Sequence, residues 1–407
     1  MMDAILVLVA VFLGGAAIAL AAYLLFLAKT SVTILATLGC VSLISGSSVF
    51  LPPEQPTVSI IVRAVGALIL AFVACRVRAL TVGSSRPPVR VLLTVLLVPI
   101  VSYLCLATAP FGYWDSLISY LAGAVLLILT VLSARVILVS GELKNALVAS
   151  LVICVAGSLL IGIALPSVGL EGGRLRGLLE NANALGAFAF FLGVLALVVV
   201  DRRSHQVVIF AIAFLAIVWS ASRASLLAVV VFMALLVAGS IKKIINVVMY
   251  GILVLALFAL AYVYFPSFFD LFAGITRSSS SRDGTWNAAI EVLSRAPWTG
   301  DGLGSETVAV ASSPLRAAVY AGYPGLISIL VLWIMLLVWS ARIGPRTFAF
   351  VCAAVVHSFF EGWLLSTFGP IILLFALVVL VIMDVERNRS FQKRIANDRP
   401  SGLAVTR

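Results

Sequence analysis

The side chains of this sequence best suited to chemistry are arginines set beside helix starts, because a guanidinium makes two parallel, charge-assisted hydrogen bonds to a phosphate or carboxylate. Three short stretches carry them: Arg174 to Gly186 (RLRGLLENANALG), Ser220 to Ser225 (SASRAS) and Ser281 to Gly304 (SRDGTWNAAIEVLSRAPWTGDGLG). In the first, Arg174 and Arg176 precede a helix whose start is marked by Asn181 and Asn183. In the second, Arg223 follows a Ser222 cap; in the third, Arg282 precedes a helix that Asp283 can cap and Pro297 can stop. The free N–H groups and positive dipole end of a helix start already favour an anion, so an added cation calls for something negative nearby. A diphosphate at a membrane surface fits the array, each charge-assisted bond contributing about 1.5–3 kcal/mol. The alternative is that each arginine reaches a lipid phosphate or pairs with Glu180, Asp283 or Asp301.

Two further groups stand out. His357 and Glu361 are spaced i, i+4, on one face of a helix, where they either relay a proton and activate a hydroxyl or form a buried pair that fixes packing. Arg63 lies within an apolar run; a charge there is costly, so it should face the bundle interior, with Asp115 or Glu361 as a partner. His205 is the only other histidine, and Cys40, Cys75, Cys105, Cys154 and Cys352 lack C-x-x-C spacing, so no metal site and no cofactor is expected. Nor is there a phosphate-binding P-loop of the kind that drives ATP-dependent machines.

The elements that position these groups are membrane helices. The chain is 63% hydrophobic and 11% charged, with repeated apolar runs of about 20 residues, the length that crosses a hydrocarbon core about 30 Å thick. The expected fold is all-α: a polytopic bundle of about 12–13 transmembrane helices. The spans fall near 4–28, 31–51, 57–75, 91–110, 113–138, 145–165, 184–200, 206–220, 224–240, 244–264, 316–341, 347–364 and 368–384. The first run has Asp3 in place of a basic leader and continues straight into another apolar run, so it reads as a helix and not as a signal peptide. Two loops are long, 166–183 and 266–315, and the second carries an amphipathic stripe of Trp286, Ala289, Ile290 and Leu293 followed by a glycine-rich turn at Gly300, Gly302 and Gly304 around Asp301.

Simple alternation puts Lys29, Arg76, Arg78, Arg86, Arg90, Lys144, Arg202, Arg203, Lys242, Lys243, Arg342, Arg346 and the basic tail on one side. That side is the expected cytoplasm, with the C-terminus inside and the N-terminus outside, and it puts all three arginine stretches outside. The net charge of +11 then belongs to the cytoplasmic face, against membrane lipids, and gives no argument for nucleic acid.

In order and spacing these segments resemble the O-antigen ligase and O-antigen polymerase superfamily. A family stretch like R-L-x-G-x-x-x-N-P-N is matched by Arg174, Leu175, Gly177, Asn181 and Asn183, with Ala182 in place of the proline. An S-R before an apolar helix is matched by Ser222 and Arg223, and R-x-x-x-W followed by P-x-x-G-x-G by Arg282, Trp286, Pro297, Gly300 and Gly302. The G-x-x-G opening the next helix is matched by Gly322 and Gly325, and the acid of the penultimate span by Glu361. The matches cover roughly residues 170 to 370, whereas the first 165 residues match in hydrophobicity alone.

The resemblance implies a bacterial cytoplasmic-membrane glycosyltransferase of cell-envelope polysaccharide biosynthesis. Its donor would be an undecaprenyl-diphosphate-linked glycan, and its acceptor a glycan or another envelope molecule. It divides the chain into N-terminal transmembrane helices (1–165), a ligase-like core (166–385) and a basic cytoplasmic tail (386–407). Arg174, Arg176, Arg223 and Arg282, with Asn181, Asn183, Trp286 and Arg63, would line the substrate site. Ligases of the family carry a His-Asn pair where this chain has Ala311 and Ser312, which leaves His357, Glu361 or Asp301 to activate the acceptor. A transporter or flippase of lipid-linked glycans, or an inactive relative, are the alternatives.

Overall fold

The computed structural model describes residues 31–45, 56–80, 89–237, 282–303, 312–365 and 369–397. Twelve helices longer than a single turn are described: α1 Ser31–Ser45, α2 Pro56–Leu80, α3 Arg90–Thr108, α4 Trp114–Ile137, α5 Glu142–Ala164, α6 Ala182–Val198, α7 Arg203–Trp219, α8 Arg223–Val237, α9 Arg282–Arg295, α10 Ser313–Ile343, α11 Pro345–Phe360 and α12 Pro370–Asn397. A hairpin of β1 (Leu170–Glu171) and β2 (Arg174–Leu175) precedes α6. The spans expected at 4–28 and 244–264 lie outside the described residues.

This is an all-α membrane architecture. Among the described residues α2, α3, α4, α5 and α10 are long and apolar enough to cross a bilayer, and α1, α6, α7, α8 and α11 are shorter apolar helices. Lipid supplies no hydrogen bonds, so a spanning segment must satisfy its backbone internally, and a helix does so. On α2, Ile61, Val65, Leu68 and Phe72 are 46–60% exposed along one face, a stripe that water would penalise and lipid accepts. Two helices are buried all round instead: α6, and α12 from Ile372 to Met383. Both are apolar on every face, so both sit at the centre with the others around them.

Small residues set the closest helix contacts. Gly39 of α1 and Gly66 of α2 face each other so tightly that a Cβ on Gly66 would lie 2.8 Å from the Gly39 carbonyl oxygen. At the far end from the arginine stretches, the buried Glu386 of α12 accepts from the Arg346 N–H at 2.8 Å, supplying an anion to the first turn of α11. α12 runs on to Asn397, so the first part of the segment expected as a tail is helix.

A Cβ at Gly344 would fall 1.4 Å from Glu386 Oε2, so no side chain fits while that carboxylate caps α11. Gly344→Ala is expected to cost about 1–3 kcal/mol, read as a lowered midpoint of thermal unfolding in detergent. An unchanged midpoint would show that the α11 cap is not held this way.

Candidate functional site

The site is built at the end of the bundle where α5, α7, α9 and α11 finish and α6, α8, α10 and α12 begin. From α5 the chain makes one helical turn, Pro166–Gly169, and enters the hairpin, whose two-residue loop is Gly172 and Gly173 with φ 56° and 78°. A turn of that kind needs positive φ at both positions, which is why two glycines stand there. It turns Arg174 back toward the bundle. Arg174 Nε donates to the Ser220 carbonyl at 2.9 Å, and Nη2 donates to Asn183 Oδ1 at 2.5 Å. Arg176 Nε donates to the Val168 carbonyl at 2.9 Å. Asn181 caps α6 by accepting from the Ala184 N–H at 2.8 Å, and Glu171 accepts from the Ala182 N–H at 3.4 Å. The expectation that Asn181 and Asn183 both mark the helix start is therefore corrected: Asn181 caps, while Asn183 sits in the first turn and holds Arg174. The anion that this helix start favours is supplied internally by Glu171.

Ser220 can offer its carbonyl because α7 ends in a Schellman motif. Ala221 N–H bonds to Val218 and Ser222 N–H to Ile217, and Ala221 takes φ 50°. Ala221 is the one described non-glycine residue in the left-handed region. α8 then starts from Ser222, whose carbonyl accepts the Leu226 N–H, and Arg223, its first residue, is exposed. Behind Arg223 a polar chain runs into the bundle. Ser222 Oγ lies 2.8 Å from Ser225 Oγ, and Ser225 Oγ lies 3.0 Å from His357 Nε2. The indole N–H of Trp363 donates to His357 Nδ1 at 2.9 Å. An indole N–H only donates, so the neutral imidazole keeps its proton on Nε2 and donates to Ser225. His357 is 2% exposed and stacks on Phe190.

Glu361 is not on the helical face of His357. α11 ends at Phe360, and Glu361 has extended backbone (φ −131°, ψ 135°), its N–H closing the last turn on the His357 carbonyl. The expected i, i+4 pair on one face is corrected accordingly. The Glu361 carbonyl accepts from Ser313 Oγ at 2.8 Å and the Gly362 carbonyl from Arg316 Nη1 at 3.2 Å, which fastens this corner to the start of α10.

The glycine-rich turn after α9 is bound to a break in α10. Pro324 has no N–H for the Tyr320 carbonyl, and the helix opens at Ala321 and Gly322. The exposed carbonyls are taken by the turn: Asp301 N–H to Val319 at 2.8 Å and Gly302 N–H to Tyr320 at 3.2 Å, while Tyr323 N–H returns to the Pro297 carbonyl at 2.7 Å. Gly322 adopts φ 60°, ψ −153°, and a Cβ there would lie 2.3 Å from the Pro297 carbonyl oxygen. Leu303 N–H reaches the Ala107 carbonyl of α3 at 2.8 Å, so the turn straps α3 to α10. Asp301 is paired with Arg295, Oδ2 to Nη2 at 2.5 Å.

α9 already contains Arg282 and Asp283, so neither lies ahead of it. Its inward residues are Ala289 and Val292, whereas Ile290 is 60% exposed; the buried stripe is turned from the expected one. Trp286 lies on the first part of α9. Arg63 is buried in α2, with Nε on the Ser59 carbonyl at 3.0 Å. Its acidic counterpart is Glu180 from the loop before α6, in place of the expected Asp115 or Glu361. Crowding by protein raises the Glu180 carboxyl above its ordinary range and Arg63 partly offsets that rise. Among the described residues no three His, Cys, Asp or Glu side chains gather closely enough to hold a metal.

A family model described as O-antigen ligase matches residues 208–324. That stretch is similar to O-antigen ligases. The match runs from α7 through the Ser220 to Ser225 corner, α9 and the glycine-rich turn to the break in α10. No curated protein matches the chain. The hairpin with Arg174, and Glu361 at the end of α11, lie outside the matched residues but are hydrogen-bonded to the O-antigen ligase region through Ser220 and Ser313.

Sequence reasoning did not single out Glu171, Ser225, Arg316 or Trp363. Arg316 was hidden within an apolar run; its signal was a cation one turn past the Ser312-Ser313-Pro314 start of α10. The left-handed Ala221 predicts a measurable strain. Ala221→Gly, which has no Cβ to crowd the carbonyl, is expected to stabilise the detergent-purified protein by about 1 kcal/mol. A lowered unfolding midpoint would contradict the turn.

Proposed function

We propose that the chain is a membrane glycosyltransferase that polymerises or ligates cell-surface glycans on the extracytoplasmic side of a bacterial cytoplasmic membrane. Its donor is an undecaprenyl-diphosphate-linked glycan, and the transfer uses no metal. The observation that carries this reading is the Arg174 side chain, which joins the hairpin to the Ser220 to Ser225 corner of the O-antigen ligase region. Arginine motifs far apart in sequence thereby belong to one end of the bundle. The side opposite to them carries most of the basic loops, which supports an extracytoplasmic site by the positive-inside rule.

Arg223 and Arg282 bind the diphosphate, with Arg174 and Arg176 as the frame that fixes the surrounding backbone. The acceptor hydroxyl oxygen attacks the anomeric carbon from the face opposite the diphosphate. The new glycosidic C–O bond forms as the bond to the phosphate oxygen breaks, inverting the configuration, and undecaprenyl diphosphate leaves with the bonding pair. The hydroxyl proton passes to the Glu361 carboxylate and then to water. Arginine cations beside the diphosphate stabilise the charge of the leaving group, and removal of one such donor typically costs about 100- to 1000-fold in rate. Asp301 is committed to Arg295 and holds the glycine-rich turn. His357, with its Nε2 proton directed at Ser225, orients the start of α8 and is a positioning residue.

Purified protein incubated with a lipid extract of the native host should yield a new glycosidic linkage by mass spectrometry, whose acceptor separates polymerase from ligase. Arg223→Ala and Arg282→Ala are expected to lower product by about 100-fold or more while still reaching the membrane, and Glu361→Gln to do likewise. Full activity in the arginine variants would sink their roles. A change of sidedness with no new linkage would indicate a flippase.

A further inference from the structure

At the end of the bundle away from the candidate site, two arginines beside lipid-facing surface have no acidic partner in the protein. Helices α2 and α4 pack side by side, and each carries a stripe of exposed apolar residues: Ile61, Val65, Leu68 and Phe72 on α2, and Trp114, Ile118, Leu121, Val125 and Leu132 on α4. Each stripe ends, one turn further on, in an arginine. Arg76 is exposed, and its guanidinium lies over the Phe72 ring, 5.6 Å from the centroid, so it is turned back along the lipid-facing side. Arg135 follows Leu132 on the shoulder of the α4 stripe, where its Nε is closed to solvent and has no hydrogen-bond partner among the described residues. Arg63 is an electrostatic neighbour of Glu180 at the candidate-site end, so Arg76 lies about 20 Å further along α2 at roughly 1.5 Å per residue, and Arg135 lies about 30 Å along α4 from Trp114. Both arginines therefore stand near the expected cytoplasmic edge of a hydrocarbon core about 30 Å thick. Of the carboxylates at that end, Glu142 is bonded to Thr33, Asp384 to Asn388 and Glu386 to the Arg346 N–H, and neither Arg76 nor Arg135 makes an ion pair among the described residues.

We propose that this surface retains anionic phospholipids of the cytoplasmic leaflet, Arg76 and Arg135 each taking a lipid phosphate while the acyl chains lie along the stripe that leads to it. A guanidinium only donates hydrogen bonds and keeps its charge at every accessible pH, so at the edge of the hydrocarbon core it requires an acceptor that carries negative charge. The protein offers neither arginine a carboxylate, and a phosphate at headgroup depth supplies the acceptor that a long side chain can reach from an apolar flank. A zwitterionic lipid also has a phosphate but brings an ammonium with it. Arg78 near the end of α2 and Arg90 at the start of α3 are exposed at the same end and add positive potential, which opposes that ammonium and favours a headgroup of net negative charge. The surface lies at the other end of the bundle from the proposed glycan site, so the inference does not rest on the glycan-transfer reading.

The test is native mass spectrometry of the full chain in detergent, with phosphatidylglycerol and phosphatidylcholine of the same acyl chains offered at equal concentration. Wild type is expected to retain phosphatidylglycerol about fivefold or more over phosphatidylcholine. Arg76→Gln and Arg135→Gln should each lower that ratio about two- to fivefold, and the two together should bring it to about one. Arg76→Lys and Arg135→Lys keep the charge and should keep most of the preference. Arg135→Gln removes a group with no protein partner and should unfold no earlier than wild type; if it does not fold, the ratio in Arg76→Gln decides, and an unchanged ratio there overturns the surface. Equal retention of the two lipids by wild type, or an unchanged ratio in the double variant, would also overturn it. So would displacement of phosphatidylglycerol by inorganic phosphate, which would show a site for the free ion and not for a lipid.

Discussion

Among the described residues, the helix breaks at the candidate-site end of the bundle leave carbonyls that neither lipid nor the helix can satisfy. The candidate site is made from the groups that satisfy them. The Ser220 carbonyl is taken by Arg174, the Val319 and Tyr320 carbonyls by the turn at Asp301 and Gly302, the Glu361 carbonyl by Ser313 and the Gly362 carbonyl by Arg316. In water each break would be solvated at little cost; at membrane depth an unpaired carbonyl costs several kcal/mol. The residues that stitch the breaks are therefore fixed in position by the same requirement that keeps the fold intact. That fixity suits a site whose chemistry depends on preorganised charge.

The polar residues of this end differ in how far they reach solvent. Arg174, Asp301 and His357 have bonds to protein on two sides or to a charged partner, and Arg223, at the start of its helix, is exposed to solvent. Ala221 bears backbone strain at the corner that leads to Arg223, and Gly186 permits the approach there: a Cβ on it would lie 2.4 Å from Ser222 Cβ. The close packing of α6 against the start of α8 thus sets where Arg223 emerges.

The helices were legible because each apolar run is bounded by charges, prolines or glycines, and the runs near 184–200, 206–220 and 224–240 correspond to α6, α7 and α8. The arginine stretches and their order were legible too. What sequence did not provide was partnership across distance. Arg63 has Glu180 and not Asp115 as its electrostatic counterpart, a pairing between segments far apart in sequence that no local signal marks. Glu361 leaves the face of His357 because α11 stops one residue earlier, and no local signal in Phe359, Phe360 and Gly362 fixes that residue. Ile290 fits an amphipathic stripe by spacing, but the tight approach of Ala289 and Val292 sets the actual face of α9. Arg316 falls at the edge of a span because hydropathy averages over it, although it is an electrostatic neighbour of Tyr103 and Tyr120.

The Arg174 tie joins the hairpin to the turn before α8, and the proposed site requires the two to bind as one unit. Native mass spectrometry of undecaprenyl diphosphate on the purified protein tests this with Asn183→Ala, which loosens Arg174 without touching α8, with Arg223→Ala, and with both together. If the unit is real, Asn183→Ala weakens lipid binding and the combined loss falls short of the sum of the two single losses, since residues of one network are not additive. Wild-type binding by Asn183→Ala, or strictly additive losses, would contradict it.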